Sequence, residues 1–586
     1  MRSVLGLLVA ITFVAGVASA DPPAPADVLG KAVEPFKLQD FRGAWHALDE
    51  WSGRKAVVVV FLGVECPLCK LYGPRLAELA AEYEPKGAVF VGIDSNQQDS
   101  LSEIAHYART HNIEFPLLKD PGNAVADQFC AARTPEVFVL DAERKVRYHG
   151  RIDDQYGVGY ARASVTKREL AAALDELLAG KEVSAASNQA AGCFIGRAPR
   201  QKPQGDITYA KHVAGILQKR CVSCHRPGEI GPFAMSSYQE IVGWSATIRE
   251  VVDQGRMPPW HASPEFGHFT NDRRLPDDEK KLLLTWIDNG APEGDPSELP
   301  PPIEYTEGWQ IPKPDVVLTM PKPFKVPSKG TVEYQYFELE QKFDEDKWVR
   351  AAEARPGNRA VVHHLNLFFV PPGGKESEAE SVLFHTLAAA APGMPAWRFA
   401  DGSAKKVPAG SRLIFQVHYT PNGVEQEDQS SAGLVFADPK SVRTELSTGA
   451  VINFRFGLPP GAPDVEVEGG HRFDSPVRLM ALAPHMHLRG KAFRFEAVYP
   501  DGGRETLLDV PRYDFNWQNW YFLAEPKRMP KGTELHCTAH FDNSSDNPAN
   551  PNPKAIVHWG EQTWEEMMVG MFETAPDDAP SAAGGE

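Results

Sequence analysis

The sequence predicts a multidomain protein with an α/β domain first, an all-α domain second and two all-β sandwich domains last. Three patterns support this order. Strand-like apolar runs alternate with helical patterns between residues 36 and 179, helical patterns dominate residues 209–289, and short strands broken by Pro, Gly, Asn and Asp fill residues 315–572. A chain of 586 residues is also too long for a single hydrophobic core.

Composition and charge exclude few functions. With 42% hydrophobic and 24% charged residues, the chain resembles an ordinary globular protein. Its formal net charge of −17 argues against nucleic acid as a partner, because nucleic-acid-binding surfaces are basic.

Residues 1–20 have the pattern of an export signal that is cleaved after Ala20. Arg2 provides a positive start, residues 4–17 form a short apolar core, and the small residues Ala18-Ser19-Ala20 form a cleavage site. An uncleaved membrane anchor is the alternative, but the apolar run is shorter than the roughly 20 residues that span a bilayer. We therefore expect a periplasmic or secreted protein without a transmembrane span.

The α/β domain is predicted at residues 30–197. The continuous apolar run at 55–63 is typical of a strand that is buried on both faces of a parallel sheet. The same reasoning predicts further strands at 88–94 and 136–141, and helices at 69–83, 101–112 and 167–179.

A C-x-x-C motif, Cys66-Pro67-Leu68-Cys69, lies between the first of these strands and the helix that follows. A helix N-terminus stabilises a thiolate, so we expect Cys66 to attack and Cys69 to resolve. The motif and the later Thr134-Pro135 resemble the thioredoxin and peroxiredoxin superfamily, which implies a thioredoxin-like fold and a cis proline, Pro135, facing the cysteines. A structural disulfide or half of a zinc site is the alternative.

One position departs from the peroxiredoxin pattern. Peroxiredoxins usually carry a Thr three residues before the reactive cysteine, and this chain has Gly63 there. We therefore favour dithiol–disulfide exchange over peroxide reduction. Two further cysteines, Cys130 and Cys193, leave two alternatives open: a structural disulfide between them, or a resolving role for Cys193.

The second domain, predicted at 206–297, contains the C-x-x-C-H run Cys221-Val222-Ser223-Cys224-His225. This is the attachment signature of a c-type haem, in which both thiols bind the haem covalently and His225 ligates the iron. Residues 207–292 resemble small c-type cytochromes. Met257 is our expected sixth ligand, with His261, His268 or water as alternatives. A simple disulfide is the alternative reading of the cysteine pair.

A Pro-rich linker is predicted at 298–314, followed by β domains at 315–455 and 456–573 and a disordered tail at 574–586. Candidate metal ligands are scattered over both β domains. His485 and His487 point to the same face of a strand, because they are two residues apart, and can share a metal. The neighbours His363 and His364 could bind one ion only at a strand end or a bulge.

Four short sequence runs, in a fixed order along the β region, resemble a known family. Val362-His363-His364-Leu365, Gln416-Val417-His418-Tyr419, His485-Met486-His487-Leu488-Arg489-Gly490 and Glu565-Glu566-Met567 resemble the copper type II, ascorbate-dependent monooxygenases, the family of peptidylglycine α-hydroxylating monooxygenase and dopamine β-monooxygenase. The resemblance implies two jelly-roll domains around a solvent-filled cleft. It also implies two copper sites, an electron-storing one at His363, His364 and His418, and an oxygen-activating one at His485, His487 and Met567.

The β region departs from that family in one respect, and one ligand remains open. Its members are rich in disulfides, whereas this region holds only Cys537. The sequence alone does not choose between Met567 and Met568 as the thioether ligand.

Taken together, the motifs predict an exported copper monooxygenase with two coppers and one covalent haem c. Its expected partners are O2, an external electron donor and a small-molecule or peptide substrate, with the haem and possibly the dithiol module supplying electrons. The alternatives are a copper- and thiol-handling protein that hydroxylates nothing, for redox maintenance or cuproenzyme assembly, and a plain electron-transfer module.

Overall fold

A computed structural model describes residues 28–197, 204–306, 308–374, 377–392 and 394–577. The predicted signal peptide at 1–20 lies outside these ranges, as do residues 578–586 of the predicted tail. Among the helices of the described ranges, none is both long and apolar enough to cross a bilayer.

The N-terminal domain is built on a seven-stranded sheet in the order β2-β1-β5-β4-β3-β7-β8. Strands β3, β4 and β5 are parallel, and the outer strands pair antiparallel. Apolar cores cover both faces of the sheet, which explains why every residue of β3 is buried. The elements are β1 Lys37–Asp40, β2 Trp45–Ala47, β3 Ala56–Leu62, α1 Pro67–Tyr83, β4 Ala88–Asp94, α2 Leu101–Thr110, β5 Leu117–Lys119, α3 Ala124–Gln128, β6 Arg133–Thr134, β7 Glu136–Leu140, β8 Val146–Gly150, β9 Tyr156–Gly157, β10 Tyr160–Ala161, α4 Glu169–Leu178 and β11 Cys193–Phe194.

The second domain is helical. It begins with a π-helical turn, Tyr209–Val213, that runs into α5, and its core surrounds the fully buried Trp286. The helices are α5 Ala214–Arg220, α6 Tyr238–Val242, α7 Ser245–Asp253 and α8 Asp277–Asp288.

The first β domain is a sandwich of two sheets. One has the order β12-β22-β15-β19-β23, with β18 added to β15, and the other has the order β14-β20-β16-β17. A single apolar core takes side chains from both sheets. The elements are β12 Val316–Thr319, β13 Phe324–Val326, β14 Gln335–Glu338, β15 Lys347–Arg355, β16 Val362–Val370, α9 Glu378–Phe384, β17 Thr386–Ala390, β18 Trp397–Arg398, β19 Ser403–Val407, β20 Arg412–Tyr419, β21 Gln426–Asp428, β22 Ser431–Phe436 and β23 Thr444–Glu445.

The second β domain is also a two-sheet sandwich. Its sheets have the orders β24-β33-β27-β30 and β26-β31-β28-β29, and they share one core. The strands are β24 Ser447–Ile452, β25 Gly457–Leu458, β26 Val465–Arg472, β27 Val477–His485, β28 Gly490–Val498, β29 Arg504–Val510, β30 Tyr521–Met529, β31 Glu534–Phe541, β32 Val557–His558 and β33 Val569–Pro576.

Two predicted boundaries are wrong. The sequence divides the β domains between 455 and 456, but β24 pairs along its length with β33, so the second sandwich begins at Ser447. The disordered tail was predicted from 574, but β33 continues to Pro576. Strand β33 contains a charged residue that is nevertheless buried. Glu573 pairs with Lys405 at 2.9 Å, across the two sandwiches.

Part of the predicted linker at 298–314 packs against the first sandwich. Ile311 is buried and packs with Ala351 and Val435 of the first sandwich. An apolar contact of this kind is invisible in a Pro-rich run, because composition does not reveal which surface a segment crosses.

The helical domain is less self-contained than its predicted bounds imply. After α7, the chain leaves the helices and packs Trp260 and Phe269 into the core of the second sandwich. Phe269 forms a β-bridge with Leu523, and Thr270 N–H donates to Phe522 O at 2.9 Å. The helical domain is therefore attached to the second sandwich by buried contacts.

Candidate functional site

The C-x-x-C pair lies where β3 leads into α1. Cys66 is the N-cap residue of α1, and Cys69 lies in its first turn. The Cys66 thiol donates to Thr134 O at 3.0 Å, and Gly63 N–H donates to Cys69 Sγ at 3.4 Å. The Thr134–Pro135 peptide bond is cis, as predicted, and Pro135 directly precedes β7.

A third cysteine joins this pair. Strand β11 pairs antiparallel with β6 and sets Cys193 opposite Thr134, whose carbonyl accepts the Cys66 thiol, and Cys193 packs against the core cluster that contains Cys66. Cys130 packs against the core on the other face of the sheet. Cys130 and Cys193 are both free thiols, so the structure does not contain the disulfide that the sequence left open.

The three thiols have different acidities. Burial opposes ionisation of Cys66, yet hydrogen bonds from Cys193 and Cys69 bring its pKa well below the ordinary thiol value. Burial and the adjacent Cys66 raise the pKa of Cys69. Of this pair, Cys66 is therefore the thiol whose pKa is lowered, which is the property of a nucleophile.

Position 63 has no space for a threonine. A Cβ on Gly63 would lie 2.3 Å from Nδ2 of Asn96 and 3.2 Å from Oγ1 of Thr134. Asn96 itself is held by Asp99, whose carboxylate it reaches at 3.0 Å. The difference from the peroxiredoxin pattern is therefore part of the packing around the cysteines.

The C-x-x-C-H segment forms a single turn after α5. The N–H groups of Cys224 and His225 both donate to Cys221 O at 3.0 Å. His225 Nδ1 lies 3.1 Å from Phe233 O, which assigns the proton to Nδ1 and leaves Nε2 as a lone-pair donor. Two thiols one turn apart and an imidazole with a free Nε2 fit covalent haem attachment. Met257 follows α7 and lines a cavity beside His261.

The first histidine cluster forms at the start of β16. The register between β16 and β20 shifts between Val362 and His364, so His363 is the extra residue of a bulge and points to the same side as its neighbour. One nitrogen from each of His363, His364 and His418 lies within 4.8 Å of the others. Burial lowers the pKa of His363 to about 4 and that of His418 to about 3, so these rings are neutral at pH 7.

The second cluster lies at the end of β27. The rings of His485 and His487 are 5.3 Å apart, and His485 Nδ1 contacts Gln518 Oε1 at 2.9 Å. Met567 lines the same small pocket as His485, whereas Met568 is fully buried in the core of the second sandwich. Met567 is therefore the methionine that faces the pocket beside His485.

A buried carboxylate that the sequence analysis missed joins the parts of this cluster. Glu566 is fully buried and accepts the N–H of His487 at 2.8 Å, that of Arg489 at 2.6 Å and that of Met567 at 3.3 Å. One side chain thus holds the H-x-H turn against the methionine. The Glu565-Glu566-Met567 run contains it, but nothing in the pattern indicates that the second glutamate points inward.

Two cavities meet at the histidines. His363 and His418 line a cavity of about 1190 Å³ whose walls come from the α/β domain, the helical domain and both sandwiches. His364, His485 and Met567 line a pocket of about 100 Å³ between the sandwiches. The two ligand sets predicted from sequence therefore share one junction.

The donor set fits copper. Among atoms of the described residues, Nδ1 of His418 and Nε2 of His487 are buried without a hydrogen-bond partner. A buried polar atom normally has a partner, and a bound metal would supply one. Neutral imidazoles with one thioether suit an ion that alternates between Cu(I) and Cu(II).

Comparison with known proteins identifies the first domain. Residues 29–149 match the AhpC/TSA family. This segment is a thioredoxin/peroxiredoxin-like domain. The thiol-disulfide oxidoreductase ResA of Bacillus subtilis (strain 168) is 26% identical over 111 residues, which cover 19% of this chain and 60% of that protein. A hypothetical protein from Sinorhizobium meliloti 1021, known from its crystal structure, is 34% identical, with 29% of this chain and 94% of that chain covered and a TM-score of 0.28.

A further relative lies outside the redoxin group. The DBH-like monooxygenase protein 1 of Mus musculus is 23% identical over 173 residues, which are 27% of this chain and 27% of that protein. The chain therefore spans about a quarter of the length of this relative. These comparisons support oxidoreductase chemistry for the thioredoxin-like domain. Both histidine clusters lie in the largely β region.

Proposed function

We propose that the chain is an exported copper monooxygenase that inserts one oxygen atom of O2 into a C–H bond and reduces the other to water. The observation that carries the proposal is the convergence of His363, His364 and His418 with His485, His487 and Met567 at one junction between two sandwiches. Three of these five histidines have a buried ring nitrogen without a hydrogen-bond partner, which costs stability unless a ligand such as a metal ion binds there.

The chain's residues would divide the task. His363, His364 and His418 bind one copper, and His485, His487 and Met567 bind the other. When bound, copper supplies one-electron storage at the first site and oxygen activation at the second. The fold resembles two jelly rolls, and the monooxygenase name of the mouse relative supports the same activity.

Residues around the second site keep its geometry. Glu566 holds the backbone of His487 and Met567, and Gln518 orients His485. Outer partners of this kind orient metal ligands and determine which nitrogen is available. The pocket beside these ligands is lined by apolar groups, among them Trp520 and Met571, and by polar groups such as Asn366 and Gln416 that could bind a small substrate.

The helical domain would deliver electrons. We propose that Cys221, Cys224 and His225 carry one haem c, with Met257 as the sixth ligand. Haem c, when bound, supplies a one-electron carrier. The segment after Met257 packs into the second sandwich through Trp260 and Phe269, so the donor domain stays next to the copper domain. Met257 and His363 line the same cavity.

The thioredoxin-like domain would exchange thiols and disulfides, with Cys66 as nucleophile and Cys69 as resolving thiol. The thiol-disulfide oxidoreductase name of the ResA relative supports this role. The alternative function is a copper- and thiol-handling protein without hydroxylation. It is favoured by the same three thiols, since a monooxygenase reaction does not require a dithiol.

The test uses the exported, metal-loaded chain. Metal analysis should give two coppers and one haem iron per chain. Haem reduced under argon should be reoxidised rapidly by O2 in the wild type and slowly in Met567→Ala and His418→Ala. Oxygen from ¹⁸O2 should appear in one product of a panel of small C–H substrates. One copper per chain, or reoxidation in both variants as rapid as in the wild type, would contradict the proposal. Copper-dependent reoxidation without labelled product would favour the alternative.

A further inference from the structure

The third thiol of the α/β domain is brought to Cys66 by a strand. The two residues of β11 pair antiparallel with β6, Cys193 with Thr134 and Phe194 with Arg133. Thr134 O accepts the Cys66 thiol at 3.0 Å, and Cys193 packs against the core cluster that contains Cys66. The chain therefore presents an internal sulfur to its own nucleophile.

The approach of this strand requires a glycine. A Cβ on Gly192 would lie 1.9 Å from Thr134 O, and its φ of +145° is one that L side chains rarely adopt. Gly192 O also accepts Arg133 Nη1 at 2.7 Å. The absence of a side chain at Gly192 therefore allows β11 to approach Thr134 and the cysteines closely.

The helical domain covers the outer side of the same strand. Phe194 N–H donates to Oγ1 of Thr247 on α7 at 3.0 Å, and Arg133 pairs with Glu250 on α7 at 2.6 Å. Cys193 packs against the helical core as well as against the core beneath Cys66. Cys66 and Cys69 are each 0% exposed, so an external polypeptide does not reach them in this arrangement.

We propose that Cys193 is a third redox cysteine, which exchanges a disulfide with Cys66 and links the dithiol to helix α7. The proposal rests on the proposed thiol–disulfide function of this domain. In the exchange, the Cys193 thiolate attacks Sγ of Cys66 in a Cys66–Cys69 disulfide. The Cys66–Cys193 bond forms, the Cys66–Cys69 bond breaks, and Cys69 leaves as a thiolate that takes up the proton lost by Cys193. No electrons are gained or lost overall.

The surroundings support exchange in both directions. Cys69 Sγ accepts the Gly63 N–H, which would stabilise it as the leaving thiolate. In the reduced state, the two neighbouring thiols lower the pKa of Cys66 against the effect of burial. Phe194 follows Cys193 directly, and its N–H donates a hydrogen bond to Thr247 of α7. A movement of Cys193 on forming the new disulfide would therefore also shift the contact with α7.

The experiment equilibrates the full chain with glutathione and glutathione disulfide, blocks free thiols with acid and alkylating agent, and maps linked peptides without reduction. We expect Cys66–Cys69 and Cys66–Cys193 linkages in the wild type, and the Cys66–Cys193 linkage as the main product in Cys69→Ser. Cys130→Ser is the matched control, since Cys130 is a half-buried thiol of the same domain on the other face of the sheet, and should leave the pattern unchanged.

A second variant tests the geometry with all thiols present. Gly192→Ala should lose the Cys66–Cys193 linkage and retain the Cys66–Cys69 linkage. Cys69→Ser that gives only glutathione on Cys66, or a Cys130–Cys193 linkage in the wild type, would overturn the inference. A wild type that forms no Cys66–Cys69 disulfide would instead overturn the proposed thiol function, so the two failures are distinguishable.

Discussion

The ring of Phe515 lies face to face with the imidazole of His363, with centroids 5.1 Å apart and 14° between the planes. The same ring lies 6.4 Å from His418 and 6.0 Å from His487. Phe515 belongs to the second sandwich domain, between β29 and β30, whereas His363 and His418 belong to the first. One aromatic side chain therefore contacts ligands of both candidate copper sites.

Replacing Phe515 should weaken the first copper site. Phe515→Leu removes the surface that orients His363, and loss of such an outer partner typically lowers metal affinity by about 10-fold or more. Competition with a Cu(I) chelator measures the affinity of each site. Phe454→Leu is the control, because Phe454 is exposed. Equal copper affinity in Phe515→Leu and wild type would show that the stacking has no influence on His363.

The two neighbouring methionines should behave oppositely. Met567→Ala should remove copper from the second site with a small effect on stability, because its side chain lines the pocket. Met568→Ala should lower the free energy of unfolding by about 2–5 kcal/mol, because it leaves a cavity in a packed core, and should retain both coppers. Copper analysis and chemical denaturation separate these outcomes. Copper loss in Met568→Ala with a retained fold would reverse the ligand assignment.

Haem attachment should depend on Gly231. A Cβ at this position would lie 2.7 Å from Cys224 O and 2.7 Å from His225 Nδ1, so the turn that carries the haem ligands would have to shift. Gly231→Ala should therefore lose most of the covalent haem, measured on the purified chain after acid–acetone extraction. Gly215→Ala is the control, since its Cβ would meet only Pro300 at 4.0 Å. Full haem content in Gly231→Ala would contradict this geometry.

The stability of the chain should depend on pH through Glu65. Burial raises the pKa of this carboxyl from 4.5 to about 7, with Lys70 opposing the shift and Asp99 adding to it. The folded chain therefore binds this proton more tightly than the unfolded chain does. The resulting stabilisation is present below pH 4.5 and is lost as the pH rises through 7.

The variant Glu65→Gln should remove this dependence. Between pH 5 and pH 7.5, the apparent melting temperature should fall less in Glu65→Gln than in the wild type, since the amide does not ionise. Glu34→Gln is the control, because Glu34 is exposed. Parallel curves for the wild type and Glu65→Gln would show that Glu65 ionises alike in the folded and unfolded chains.

Much of the local structure could be predicted from the sequence. The apolar run at 88–94 forms the predicted strand β4 with the same bounds. This segment is read correctly because a strand buried on both faces has to be apolar throughout. The thioredoxin-like domain was likewise predictable, since Cys66 and Cys69 follow a buried strand and open a helix.

The errors came where polar residues are buried through distant partners. The predicted tail starts within β33, although the buried Glu573 of this strand pairs with Lys405, which is far away in the chain. The predicted bounds of the helical domain do not reveal that Trp260 and Phe269 pack against the second sandwich. Sequence periodicity reports that a side chain is buried, not what covers it.

The sequence by itself predicted the order of the domains, the candidate chemistry of the thiol, C-x-x-C-H and histidine motifs, and the placement of Cys66 at a helix start. Only the tertiary structure decided that Met567 rather than Met568 faces the pocket, that Cys193 rather than Cys130 meets Cys66, and that Phe515 touches both histidine clusters. The physical reason is that motif chemistry is local, whereas contacts between residues hundreds of positions apart depend on strand register and domain packing.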